Sequence, residues 1–241
     1  MKKVFKNWNL FEILFLFTSL LTITLCFAFG VDKNVFSYIV SLCGIVSVLM
    51  VAKGLVMAPV INIIYNILYA ILSIAQRYYG EAIVYILIFP ISIVSIISWL
   101  KNKNKDNKGV VEVNKIKGKE CLCLALATLV LTFAFYFILK ALNTNELIFS
   151  TISLITSAVA HYLMFRRCRF YAIGFILNDI VLIILWGLVV KSSGLEYLPT
   201  VISFVVFLIN DVYGLIHWIM EEKKQKQVKK SCEEEKGDNN G

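Results

Sequence analysis

Eight apolar runs of membrane length follow one another along this chain, and they leave few folds open to it. They extend roughly from Leu10 to Phe29, Val35 to Val51, Pro59 to Ala75, Gly80 to Trp99, Cys121 to Leu139, Glu146 to Phe165, Tyr171 to Val190 and Thr200 to Trp218. A helix of about 20 apolar residues crosses a bilayer, because in hydrocarbon every backbone N–H and C=O must find its partner within the segment. An all-α integral membrane protein of about eight transmembrane helices is therefore expected. The 241 residues are 59% hydrophobic and 17% charged, so spans and loops take up nearly the whole chain. The lysines of MKKVFK resemble a secretory leader, but the apolar run behind them is long and lacks a small-x-small cleavage site. It is read as an uncleaved first span.

The formal charge of +8 would suggest nucleic acid in a soluble protein, but here the lysines lie in loops and tails beside membrane spans. No nucleic-acid partner is expected; the partner is the lipid bilayer. Basic residues collect on the cytoplasmic side, which turns the loops into a test of the span count. With the N-terminus inside, cytoplasmic segments hold Lys2, Lys3, Lys6, Lys53, seven lysines between 101 and 119, Arg166, Arg167, Arg169 and six lysines after Trp218, twenty in all. Outside lie only Lys33, Arg77, Lys140 and Lys191. One missed helix would invert every later loop, so eight spans in a cytoplasmic membrane, with both termini cytoplasmic, is the expectation.

The sequence also repeats itself. NVFSYIVSL at Asn34 and LIFSTISLI at Leu147 open similar spans, Leu49-Met50 and Leu163-Met164 precede basic turns, Asn66 and Asn178 sit inside the next span, and Trp99 and Trp218 close the unit. Both three-helix units start outside and end inside, so they are parallel, and a chain joins them only by one more crossing. This predicts a tail and first span over residues 1–34, a first repeat over 35–100, a cytoplasmic connector over 101–119, a linker helix over 120–145, a second repeat over 146–219 and a disordered cytoplasmic tail over 220–241. The resulting N-terminal span plus 3+1+3 parallel repeats resembles the plan of SWEET-type transporters, in which the site lies between the repeats.

Within the third span Asn62, Tyr65, Asn66, Tyr69, Ser73 and Gln76 recur at steps of three and four, one stripe of a helix. Such a stripe cannot face lipid, since an unpartnered amide in hydrocarbon costs several kcal/mol by rough transfer scales. The seventh span carries Tyr171, Gly174, Asn178, Leu182 and Trp186 in the same way, with Asp179 beside them, and the eighth carries Asn210 and Asp211. The expected substrate contacts are Asn62, Asn66, Tyr69, Tyr171, Asn178, Asp179, Trp186 and Asn210, with Asn66 and Asn178 at matching positions of the two repeats. Rings and amides together suit a flat, hydrogen-bonding solute. Tyr65, Phe175 and Tyr213 accompany them, and the histidine His161 is read first as a hydrogen-bonded packing residue, with proton relay or substrate contact as its alternative role. Trp99 and Trp218 read as interface-belt residues. Pro90 lies inside the fourth span, where a kink can be static or serve a gate. The six cysteines lack any pair of CxxC elements, so they read as core residues, and neither a metal nor a cofactor is expected.

The run YNILYAILSIAQRYYGEAIVYILIFP followed by Trp99, with FILNDIVLIILWG and FLINDVYGLIHW, resembles the PnuC family of nicotinamide riboside transporters over Phe36 to Trp218. The resemblance implies facilitated diffusion of a pyridine nucleoside or related vitamin, trapping by a cytoplasmic kinase, and a homo-oligomer, with a trimer as one form. Nicotinamide riboside carriers of the family often show two tryptophans three apart and an asparagine four residues on. Here those positions are Tyr171, Gly174 and Asn178, so the asparagine matches and the tryptophans do not. Thiamine, riboflavin or another nucleoside stay open as cargo, as does proton coupling through Asp179, Asp211 or His161. No GxxxxGK[ST] loop, HExxH or Ser/His/Asp set points to an ATPase or an enzyme. An accessory membrane protein whose polar groups only hold the bundle together is the alternative to a carrier.

Overall fold

In the structure, a computed structural model, residues 8–29, 35–75, 79–104, 109–144, 146–195 and 198–238 are described. Gln76, Arg77, Lys33, Asn34 and the lysines at 2, 3, 6, 105 and 108 lie outside them. The described residues form eight helices: α1 (Leu10–Phe29), α2 (Val35–Ala52), α3 (Ala58–Ala75), α4 (Tyr79–Lys101), α5 (Gly118–Ala141), α6 (Leu147–Phe165), α7 (Tyr171–Ser193) and α8 (Leu198–Asp238). Seven of them are long and apolar enough to cross a membrane. The exception is α3, which is apolar but shorter, over Ala58–Ile74. Pro59 sits in the first turn of α3, where its missing N–H costs no helix bond, and Pro90 lies inside α4, which stays one helix.

Six helices close on themselves. Packing runs from α2 to α3, α3 to α4, α4 to α6, α6 to α7, α7 to α8, and from α8 back to α2. The remaining two lie outside this ring, α1 against α2 and α8, and α5 against α6. Of α5 only Leu139 is buried, so its apolar flanks are left for lipid. Cys121 and Cys123 lie exposed on that outer helix, which corrects their reading as core cysteines; Cys168 is buried.

Two turns share one geometry. After α2, Gly54 N–H donates to the Val51 carbonyl and Leu55 N–H to that of Met50; after α6, Arg167 N–H donates to Met164 and Cys168 N–H to Leu163. These are Schellman caps, and in each the residue after the helix is left-handed, Gly54 at φ 63° and Arg167 at φ 56°. From Leu55 to Cys168 the offset is 113 residues, and α3 and α7 begin at the same offset, Ala58 and Tyr171. By this register Asn66 corresponds to Asp179, which corrects its pairing with Asn178.

Trp99 and Trp218 are buried rather than set in an interfacial belt, and each holds one of these caps. The Trp218 indole N–H donates to the Val51 carbonyl at 3.1 Å, and the Trp99 indole to the Met164 carbonyl at 3.0 Å. The two rings tilt together 5.7 Å apart. Each indole adds a second donor to a carbonyl that the turn's own N–H already engages, and so ties the cap to a helix from the other half of the chain. Trp99→Phe keeps the ring and removes the donor; an expected loss of about 1 kcal/mol, read as a lower melting temperature in detergent, checks the role.

The connector also does more than join. Leu55 pairs with Val110 and Cys168 with Asn114 through isolated backbone bridges, so residues 109–117 lie across both turns. The expected disordered tail is corrected too: α8 continues as helix to Asp238. Glu222, beyond the apolar part, meets Arg169 at 3.0 Å, while Gln225 accepts from the Val113 N–H, so the first turns of this extension are tied down against the connector and the second turn.

Candidate functional site

The ring encloses a cavity to which all six of its helices contribute, with about 500 Å³ of space, its open mouth included. One side is built by amides. Asn62 on α3 donates to the Ser47 hydroxyl of α2 at 3.3 Å and accepts from the Asn66 amide at 3.1 Å. That amide also reaches His161 Nε2 on α6 at 3.5 Å. His161 Nδ1 lies 2.8 Å from the Ser157 carbonyl, which can only accept, so Nδ1 carries the hydrogen and Nε2 is the acceptor facing Asn66. Asn66 Oδ1 and Ser157 Oγ are buried without a partner.

The opposite side comes from α7 and α8. Asn178 Oδ1 accepts from Thr156 Oγ1 at 2.9 Å and Ser153 Oγ at 3.3 Å, so its carbonyl is taken up by α6 and its N–H groups are left for a guest. Next to it Asp179, with Oδ2 unpartnered, adjoins Asp211 of α8. Aromatic walls complete the space: Phe175 stands edge-on to His161 at 5.0 Å, and Tyr65 edge-on to Phe207 at 6.0 Å. Gly44 makes room for these last two rings, since a Cβ there would lie 2.7 Å from Phe207 and 2.8 Å from Tyr65. Among the described residues, no lysine or arginine lines the cavity.

Of the eight sequence-predicted contacts, Asn62, Asn66, Asn178 and Asp179 meet in this wall. The other four do not line it. Tyr69 packs behind the lining rings, 4.9 Å from Tyr85 and 6.2 Å from Phe204. Tyr171 donates to the Val51 carbonyl at 3.3 Å and stands edge-on to Trp218 at 5.0 Å, so it belongs to the turn. Trp186 is buried in the apolar core, and Asn210, fully buried, donates to Asp211 at 3.4 Å and acts through it. Ser157, Tyr85, Phe204 and Phe207 were missed as candidates. The signal for Phe204 and Phe207 was on the page: with Asp211 they recur at steps of three and four, the same rule that exposed the α3 stripe. Among the described residues no group of His, Cys, Asp or Glu is placed to hold a metal.

The sequence model of the family described as nicotinamide mononucleotide transporter matches residues 34–220. A nicotinamide riboside transporter PnuC of Neisseria mucosa is 28% identical over 221 residues, 90% of this chain and 84% of its own length. A crystal structure of the vitamin B3 transporter PnuC superposes with a TM-score of 0.81 at 26% identity, covering 92% of this chain and 96% of that one.

Proposed function

This chain belongs to the nicotinamide mononucleotide transporter family, a membrane transporter and not an enzyme, and from that premise we propose that it carries nicotinamide riboside. The observation that carries the choice is the cavity wall: amides and rings with no lysine or arginine. A mononucleotide brings a phosphate, which asks for cationic or N–H-rich partners, and would stand here beside two aspartates. A riboside offers a flat ring and hydroxyls to the same groups.

Residues 35–100 and 146–219 are read as two units that rock about the cavity, with 120–145 between them, so that the solute meets one side of the membrane at a time. The two equivalent turns support this reading. The basic turns and connector support a reading in which that end of the bundle, and both termini, face the cytoplasm across an inner cell membrane. Transport is downhill, a cytoplasmic kinase retains the product by phosphorylation, and the carrier assembles as a homo-oligomer.

Purified protein in detergent tests the cargo by thermal shift against nicotinamide riboside, its mononucleotide, thiamine, riboflavin and adenosine. A ligand at 100 times its Kd adds about 2.7 kcal/mol to the folded state. The riboside is expected to raise the melting temperature and the mononucleotide to leave it unchanged. Asn178→Ala and Asn66→Ala are expected to weaken riboside binding about tenfold each, the loss of one hydrogen bond to a guest, without unfolding the protein. A second reading, thiamine as cargo, draws on the absence of the tryptophan pair at positions 171 and 174; a shift by thiamine alone would favour it. Uptake into proteoliposomes that stops when the proton gradient is collapsed would replace downhill transport by proton coupling.

A further inference from the structure

We propose that Asp179 and Asp211 form a cation subsite that selects cargo with a permanently charged ring over neutral rings of the same shape; this rests on the cavity being the cargo site. An aspartate in the middle of a membrane helix is costly to insert, and such residues face the bundle interior or a water-filled cavity. This wall holds two of them, side by side on α7 and α8, 4% and 5% exposed. Among the described residues neither meets a basic group: no lysine or arginine lines the cavity, and the nearby histidine is turned to Asn66 and the Ser157 carbonyl. Asn210 donates to Asp211, but Asp179 Oδ2 is buried in the wall with no partner. Asp179 also hydrogen-bonds Asp211 across the α7–α8 contact, and Oδ2 is the atom this packing leaves unpartnered in the wall. The groups around it divide the remaining work, with the Asn178 N–H groups and Asn66 Oδ1 offered to neutral polar atoms. What the wall lacks is a positive charge, and a pyridinium or thiazolium ring supplies one in a compact, flat form that Phe175 can lie against.

The test compares two compounds with the same heavy atoms, nicotinamide riboside, whose ring is a cation, and its 1,4-dihydro form, whose ring is neutral. Titration calorimetry on the full-length protein in detergent gives both affinities. Wild type is expected to prefer the cation by about tenfold or more. Asp179→Asn, and independently Asp211→Asn, are expected to bring that ratio toward one while the affinity for the neutral form stays within about threefold. The near-isosteric amides keep the wall intact, and melting temperatures check folding; should one variant fail to fold, the other decides. A wild type without preference, or a ratio unchanged in both variants, overturns the subsite. If neither compound binds wild type, the riboside reading fails, and thiamine against its neutral thiophene analogue asks the same question of the aspartates. No charge preference in that pair also overturns the subsite.

Discussion

Lys53→Met lowers the stability of the protein in detergent by about 3–5 kcal/mol, the cost of leaving one partner of a buried ion pair alone. Lys53 and Glu12 are 5% and 0% exposed and form a salt bridge between the turn after α2 and the start of α1. Glu12 also accepts from the Tyr213 hydroxyl of α8 at 2.5 Å and the Asn9 N–H at 2.7 Å, and the Lys53 ammonium lies over the Trp8 ring at 4.9 Å. One carboxylate thus ties the outer helix α1 to two helices of the ring. Methionine keeps the length of the stem and removes the charge, so Glu12 stays buried without its cation. The double variant Glu12→Gln with Lys53→Met recovers most of the loss, because the uncompensated charge leaves with its partner. A double-mutant cycle on melting temperature measures the coupling. Additive losses would mean the pair contributes no coupling and α1 is held by apolar packing.

The second large effect comes from restoring a tryptophan that relatives of this family often carry. Gly174→Trp is expected to lower stability by about 3 kcal/mol, the upper part of the usual range for overpacking, and to gain no nucleoside affinity. A Cβ at position 174 would lie 2.9 Å from Ala160 Cβ and 3.0 Å from its Cα. The obstacle is the backbone of α6, which no rotamer change removes. The ring would wedge α6 from α7 instead of entering the cavity. Gly187→Ala on the same helix is the control, since nothing lies within 4 Å of its Cβ, and it should be neutral or raise stability by roughly 0.5–1 kcal/mol. A Gly174→Trp protein that melts normally and binds the riboside more tightly would sink this account.

What could be read in the sequence follows from the physics of the solvent. Hydrocarbon forbids unsatisfied backbone, so apolar length alone located every helix within a few residues, the far end of α8 excepted: α1 is Leu10–Phe29 as expected, while α8 runs on to Asp238. The stripe Asn62–Asn66 was legible for the same reason, since amides have nowhere else to go. Three things were not. The register of the turns depends on which residue adopts a left-handed conformation, and arginine at 167 gives no hint of it. Trp99 and Trp218 have the composition of belt residues, and only the fold shows a helix end from the other half of the chain within reach of each indole. Tyr171 and Trp186 share a helix face with Asn178 in projection, but Tyr171 sits at the turn, its hydroxyl on the Val51 carbonyl, and Trp186 lies in the apolar core. The tail after Trp218 is helical because charges favour water without opposing a helix.

The shared turn geometry has one more outcome. Asn66 and Asp179 each stand eight residues beyond the first residue of the helix that follows their turn, so the same place is neutral in one half of the ring and acidic in the other. The backbone is close to indifferent to which way round a guest lies, and the side chains are not. A solute with its charge at one end and its hydroxyls at the other has one preferred heading in such a chamber. It would travel with its ring toward α7 and its sugar toward α3, and the polarity of the passage would be written in a single pair of side chains.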